Sequence, residues 1–290
     1  MTHAEQLNIA QDFEELRAVL ASFYHHLSQE AWDAPTGERE KDWTLHELTA
    51  HLVSIAQLLN AATEAALAGD ELVIENYEKR EDLRAWNAAQ IDERTQQAPA
   101  ELKAELFDEL RAGRDLAAAL TAEQLAERLD FVVYNRPAPV LNLVEWHLSH
   151  IGVVHAAQLT RPTEQPPLWT HYSDEFTHRQ IDRFMRHFSW AYWNTLAPEV
   201  NAKLNFHIGG ESGGDWLLVA APDGGNVSQG TTKKPDYDLT FADASVLFGV
   251  FTIEVPMEEA LNSGDLKMTG DPQKVHGLLR LFSASPPNMQ

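Results

Sequence analysis

Cysteine is absent from the 290-residue chain. That excludes disulfides, thiolate metal ligands and a cysteine nucleophile, so any sulfur chemistry has to use a thiol supplied from outside. Positive charge is also scarce: 22 Lys and Arg stand against 44 Asp and Glu, a formal net charge of -22. No basic surface remains to neutralise phosphates, which excludes nucleic acids and anionic membranes as partners and leaves the acidity as an aid to solubility. No apolar run approaches the ~20 residues that span a bilayer, and the first residues, Met1 to Leu7, lack a charged stretch followed by an apolar one. A soluble cytoplasmic protein is expected.

What is present divides in two. The length favours two domains, each large enough to bury its own interior. Pro162, Pro166 and Pro167 fall close together and stop the preceding helix, which places a linker there and domains at 1–165 and 171–290. Before the linker glycines are few and apolar residues recur at spacings of three and four, so helices are predicted, among them 100–114 and 116–129. After it, an amphipathic helix is predicted from Asp174 to Leu196, with Ile181, Phe184, Met185, Phe188 and Tyr192 on one side. Alternation predicts strands over 202–208 and 216–220, joined by the glycines of 209–214, with a second turn at Pro222 to Gly225. A strand over 238–241, a helix over 244–251 and a strand over 266–269 complete an α+β unit. His207 alternates with Phe206 and Ile208 and is expected to be an outward or satisfied histidine.

The most specific chemistry lies in one predicted helix. Within Glu145 to His155, three of the chain's 13 histidines occur: His147, His150 and His155. Thr44 followed by Glu47 has the form of a capping box, so an earlier helix starts there, with Leu48, Leu52, Ile55 and Leu59 as its buried stripe and His51 among them. Buried neutral histidines need partners for both ring nitrogens, and a metal ion supplies one. Two ligands on one α-helix share an ion at spacings of three or four, which selects His147 with His150. His147 and His155 are separated by about 12 Å at 1.5 Å per residue, too far for one ion. His51, His147 and His150, with a water in an open fourth position, are therefore the candidate metal ligands. The plain alternative is that each is an ordinary core or surface histidine.

The segment Asp42 to Leu52, followed by Trp86-Asn87 and the histidine-bearing helix, resembles the DinB-like four-helix bundle, in particular the N-terminal domain of mycothiol-dependent maleylpyruvate isomerases. Phe206 to Gly210 leading to Trp216, then Pro235 to Leu239, Ala260 to Gly264, Leu266 to Asp271 and Val275 to Phe282, resemble a sterol carrier protein-like domain. The fold class implied is an all-α DinB-like bundle followed by an α+β sterol carrier protein-like domain. His51 falls on the family's first metal ligand. The isomerases place a glutamate and a histidine four residues apart on the later helix, whereas this chain has Trp146 with His150, or Glu145 with Ser149. Either His147 replaces the glutamate, or the site has changed its task or been lost.

The resemblance implies a divalent ion, zinc first, and a low-molecular-weight thiol, mycothiol or bacillithiol. The metal-bound thiolate adds reversibly to an activated double bond of a small anionic substrate, so that rotation and elimination give the trans isomer. Trp86 and Asn87 are the expected cofactor-binding residues. Arg183 and Arg280, ahead of Arg186 and Lys203, are the expected partners of the substrate's charge. A monomer or homodimer is expected. Two other functions fit the same residues: a metal-dependent thiol S-transferase, which would consume the thiol, and a non-enzymatic carrier of an apolar ligand.

Overall fold

The computed structural model describes residues 3–25, 27–37, 42–70, 72, 74–75, 82–131 and 137–282. They form two compact units that meet in sequence between Tyr172 and Ser173.

The first unit is helical. It contains α1 (His3–His25), α2 (Gln29–Asp33), α3 (Leu45–Ala68), α4 (Leu83–Asp92), α5 (Pro99–Ala119) and α6 (Ala122–Ala126). A two-stranded ribbon, β1 (Arg128–Leu129) with β2 (Ala138–Pro139), leads into α7 (Val140–Ser149), a wide helical turn over His150–Val154 and α8 (Ala156–Thr160). The helices α1, α3, α5 and α7 pack on one another around a core of Phe13, Leu16, Leu52, Leu106, Leu110 and Leu148.

The start of α3 follows from its sequence. The Thr44 hydroxyl accepts from the Glu47 backbone N–H at 3.2 Å, and the Glu47 carboxylate accepts from the Thr44 N–H at 2.8 Å. This reciprocal cap satisfies two donors that a helix N-terminus leaves open. Gly69, at φ 71°, ends the helix in the left-handed region. Between these caps Leu48, Leu52, Ile55 and Leu59 are buried, as their spacing predicts, and His51 is buried among them at 4% exposure.

A helix over 116–129 is not what forms. The backbone of Leu120 is extended, Thr121 begins α6 with its own capping box to Gln124, and Arg128–Leu129 pairs with Ala138–Pro139. Good helix formers fill this segment, but a threonine competent to cap restarts the helix and shortens both pieces.

The second unit opens with α9 (Asp174–Trp190), capped by the Ser173 hydroxyl on the Phe176 N–H. It ends six residues before the predicted Leu196: Tyr192 leaves the helix to pair with Phe282 and stack on its ring at 4.6 Å, and Asn194–Leu196 forms a separate tight turn. Ile181 and Met185 are fully buried, and the Phe188 side chain lies outside the described residues. The five-stranded sheet has the order β5-β4-β3-β6-β7, from β3 (Ala202–Ile208), β4 (Gly214–Ala221), β5 (Gly224–Gln229), β6 (Tyr237–Phe241) and β7 (Leu266–Thr269). All neighbours are antiparallel except β3 and β6. Helices α10 (Ala244–Phe251), α11 (Met257–Ser263) and α12 (Pro272–Leu279) complete the unit.

The glycines at 224 and 225 begin β5 rather than ending a turn. A Cβ on Gly225 would run into the Ser189 carbonyl of α9, so the pair permits a strand to press against that helix. Phe206 of β3 lies parallel to Phe241 of β6 at 6.1 Å and contacts Phe251 of α10, which marks the helix-covered face. The opposite face is crossed by the chain between β5 and β6. There the Asn205 amide donates to the Thr232 carbonyl and accepts from the Thr232 N–H, at 3.0 and 2.9 Å, replacing a missing strand neighbour. His207 shares the Asn205 face and is satisfied, with Nδ1 2.7 Å from Asp215 and Nε2 3.4 Å from Asp238.

Candidate metal centre

Three imidazoles converge within the first unit. The structure brings His51 of α3 together with His150 and His155, each offering a ring nitrogen, and all three nitrogens lie within 4.8 Å of one another. Among the described residues this is the only such group of three or more histidines or carboxylates. The rings stand edge to face, with centroids at 5.2 Å for His51 and His150, 5.1 Å for His51 and His155, and 4.5 Å for His150 and His155. The Nε2 atoms of His150 and His155 are 3.2 Å apart. Two ligand nitrogens at about 2.05 Å from a tetrahedral ion would be about 3.3 Å apart, so this spacing is that of neighbouring ligands.

His147, the predicted third ligand, is not in the group. It sits one turn earlier on α7, buried, with its ring 5.6 Å from Phe13 and its Nδ1 without a hydrogen-bond partner. His155 stands with His51 and His150 because the helix widens. At 100° per residue, five residues separate side chains by about 140°. Over His150–Val154 the backbone instead makes a π turn, closed by the His155 N–H donating to the His150 carbonyl at 3.0 Å. Such a turn takes roughly one more residue than an α turn, so residues five apart share a face. The Gly152 carbonyl within the wide turn accepts from the Tyr172 hydroxyl at 3.0 Å.

The sequence held one signal for this arrangement, a third histidine in the same short run. A helical wheel with a fixed period discards it.

Burial sets the protonation of the group. It drives His51 and His150 well below the ordinary histidine value, and for both the neighbouring His155 lowers it further. Burial also brings His155 down to about 4, against the opposing hydrogen bond that its ring donates to Gln158, and His147 down to about 3. All four are neutral at pH 7, the form in which imidazole has a lone pair for a metal. The Nδ1 atoms of His51 and His150 are buried without hydrogen-bond partners. Buried polar atoms left open in this way are rare in folded proteins.

The surroundings are aromatic. Trp43 lies against His51 at 4.7 Å, and Trp146 stands 6.5 Å from His150. Trp86 of α4 is buried. Its neighbour Asn87 is close enough to His51 to favour the protonated ring, although its Oδ1 and the ring's Nδ1 each fall short of a hydrogen bond. The two predicted arginines are in the second unit: Arg183 of α9 is enclosed, at 2% exposure, whereas Arg280, at the end of α12, is exposed.

Known proteins match the chain in two ways. The family profile described as the mycothiol maleylpyruvate isomerase N-terminal domain matches residues 13–159, a span that contains all three converging histidines. Among solved structures, the crystal structure of a histidine-to-alanine mutant of the mycothiol-dependent maleylpyruvate isomerase is similar with a TM-score of 0.55 and 11% identity, covering 93% of each chain. A second crystal structure of a mycothiol-dependent maleylpyruvate isomerase gives a TM-score of 0.51 at 10% identity, covering 86% of this chain and 88% of that one. At these identities the likeness is one of fold. No curated protein matches the sequence.

Proposed function

The chain belongs to the mycothiol maleylpyruvate isomerase N-terminal domain family, and from that premise we propose that it is a metal- and thiol-dependent cis–trans isomerase. The observation that supports this most is the convergence of His51, His150 and His155, neutral and with two ring nitrogens at the spacing of neighbouring ligands. Their donor set, three imidazoles without a thiolate or carboxylate, suits a divalent ion of borderline softness such as zinc. When bound, the metal and a low-molecular-weight thiol such as mycothiol or bacillithiol supply a thiolate nucleophile that adds reversibly to an activated double bond. The thiol has to be a cofactor, because the chain has no cysteine.

The chain's own residues hold and enclose. The three histidines fix the ion from two helices. Trp43 and Trp146 screen the rings from water, which strengthens electrostatic interactions at the site. The unfilled Oδ1 of Asn87 accepts a hydrogen bond from the bound thiol. Within the second unit Arg280 is exposed and Arg183 is enclosed. The second unit has the sterol carrier protein-like fold in this proposal.

The test is the metal content of the purified protein by elemental mass spectrometry, followed by NMR of the vinyl protons of maleylpyruvate with mycothiol or bacillithiol present. One equivalent of metal, and trans product formed without loss of thiol, supports the isomerase. Thiol consumed in proportion to substrate identifies an S-transferase instead. A protein that takes up no metal after reconstitution is neither.

A further inference from the structure

His155 is the only ring of the three whose second nitrogen has a partner among the described residues. Its Nδ1 lies 2.5 Å from the Oε1 of Gln158, three residues on, in the first turns of α8. The corresponding Nδ1 atoms of His51 and His150 have none. An amide oxygen only accepts, so the His155 nitrogen facing it has to carry the proton. A neutral imidazole has one such proton, which leaves the Nε2 of His155 as a bare lone pair pointing at the Nε2 of His150.

We propose that Gln158 is the positioning residue of the metal centre: it holds His155 as the Nδ1–H tautomer and so presents the ring's Nε2 lone pair to the ion. This rests on the metal reading of the three histidines. Without the acceptor, the His155 proton is free to sit on Nε2, where it occupies the lone pair that an ion would take. Gln158 also limits rotation of the ring, because the short contact and the wide turn fix its two ends. Outer hydrogen bonds of this type orient ligating histidines, and their loss typically costs about 10- to 100-fold in metal affinity. Because the partner is a neutral amide and not a carboxylate, it fixes the tautomer without adding negative charge beside the ion.

Two measurements test this on the full chain. In the metal-free protein, long-range proton–nitrogen correlation NMR reads the His155 tautomer directly; Nδ1–H is expected, and Nε2–H overturns the proposal whatever the metal does. Zinc affinity is then measured by competition with a chromophoric chelator for the wild type, Gln158→Leu and Gln158→Glu. Gln158→Leu is expected to weaken zinc about 10- to 100-fold, while Gln158→Glu, which keeps an acceptor, restores wild-type affinity or exceeds it. Unchanged affinity in Gln158→Leu, or equal loss in both variants, overturns the role of Gln158 and leaves the metal centre standing. No zinc binding by the wild type overturns both.

Discussion

The Tyr172 hydroxyl donates to the Gly152 carbonyl at 3.0 Å, across twenty residues of chain. Burial, with the charge of Glu15, raises the Tyr172 pKa and keeps the hydroxyl protonated as a donor. The bond stabilises the wide turn that puts His155 beside His150. Tyr172→Phe removes this bond from a buried carbonyl and should cost about 0.5–1.5 kcal/mol in urea unfolding. Metal affinity should fall with it; unchanged unfolding would show that the turn does not depend on this bond.

Replacing individual histidines separates the two possible third ligands. His155→Ala should lower zinc affinity by more than about 100-fold, whereas His147→Ala should change it by only a few-fold. Chelator competition reads both. The reverse order would return His147 to the centre.

His147 makes stability depend on pH. Its pKa falls from 6.5 in an unfolded chain to about 3 in the fold, because burial disfavours the charged ring. The unfolded state therefore binds more protons between those values, and the stabilisation, fully present above pH 6.5, is lost as pH falls towards 3. For this group alone the loss from pH 7 to pH 5 is about 2 kcal/mol. Urea unfolding of metal-free protein at the two pH values should show it, and His147→Leu should flatten the difference by a similar amount. An equal pH dependence in both proteins would refute the assignment.

Thr49 holds two bonds at the start of the His51 helix. Its hydroxyl donates to the Leu45 carbonyl at 2.8 Å, so the Tyr24 hydroxyl, 3.0 Å away, is the donor to it. Thr49→Val strands a buried phenol and should cost about 1–3 kcal/mol, and adding Tyr24→Phe should recover part of this. Urea unfolding of the two single variants and the double variant measures the coupling; simple additivity would mean that the pair does not interact.

Sequence legibility followed local physics. The cap at Thr44 and Glu47, the stripe around His51, and the limits of β3, α10 and β7 were all visible in spacing and residue type. Less visible were features set by a neighbour: β5, whose glycines read as a turn until α9 is packed against them, and the early end of α9, where Tyr192 leaves to meet Phe282. The candidate centre was two-thirds legible. His51 and His150 stood out, but His155 enters through a change of helical period, which no fixed wheel represents. Gln158 had no signal of its own, since a glutamine three residues past a histidine is ordinary until the ring's other nitrogen has a task.

The single parallel pairing, β3 with β6, has a consequence for synthesis. β3, β4 and β5 are consecutive and form a local meander, but the second edge of β3 stays open until the chain has crossed the sheet through Thr232 and supplied Tyr237 to Phe241. During translation that edge is an exposed template for strand pairing between nascent chains. A chain stalled or truncated before Tyr237 should therefore aggregate, whereas one that reaches Phe241 can cover the edge of β3 with its own β6.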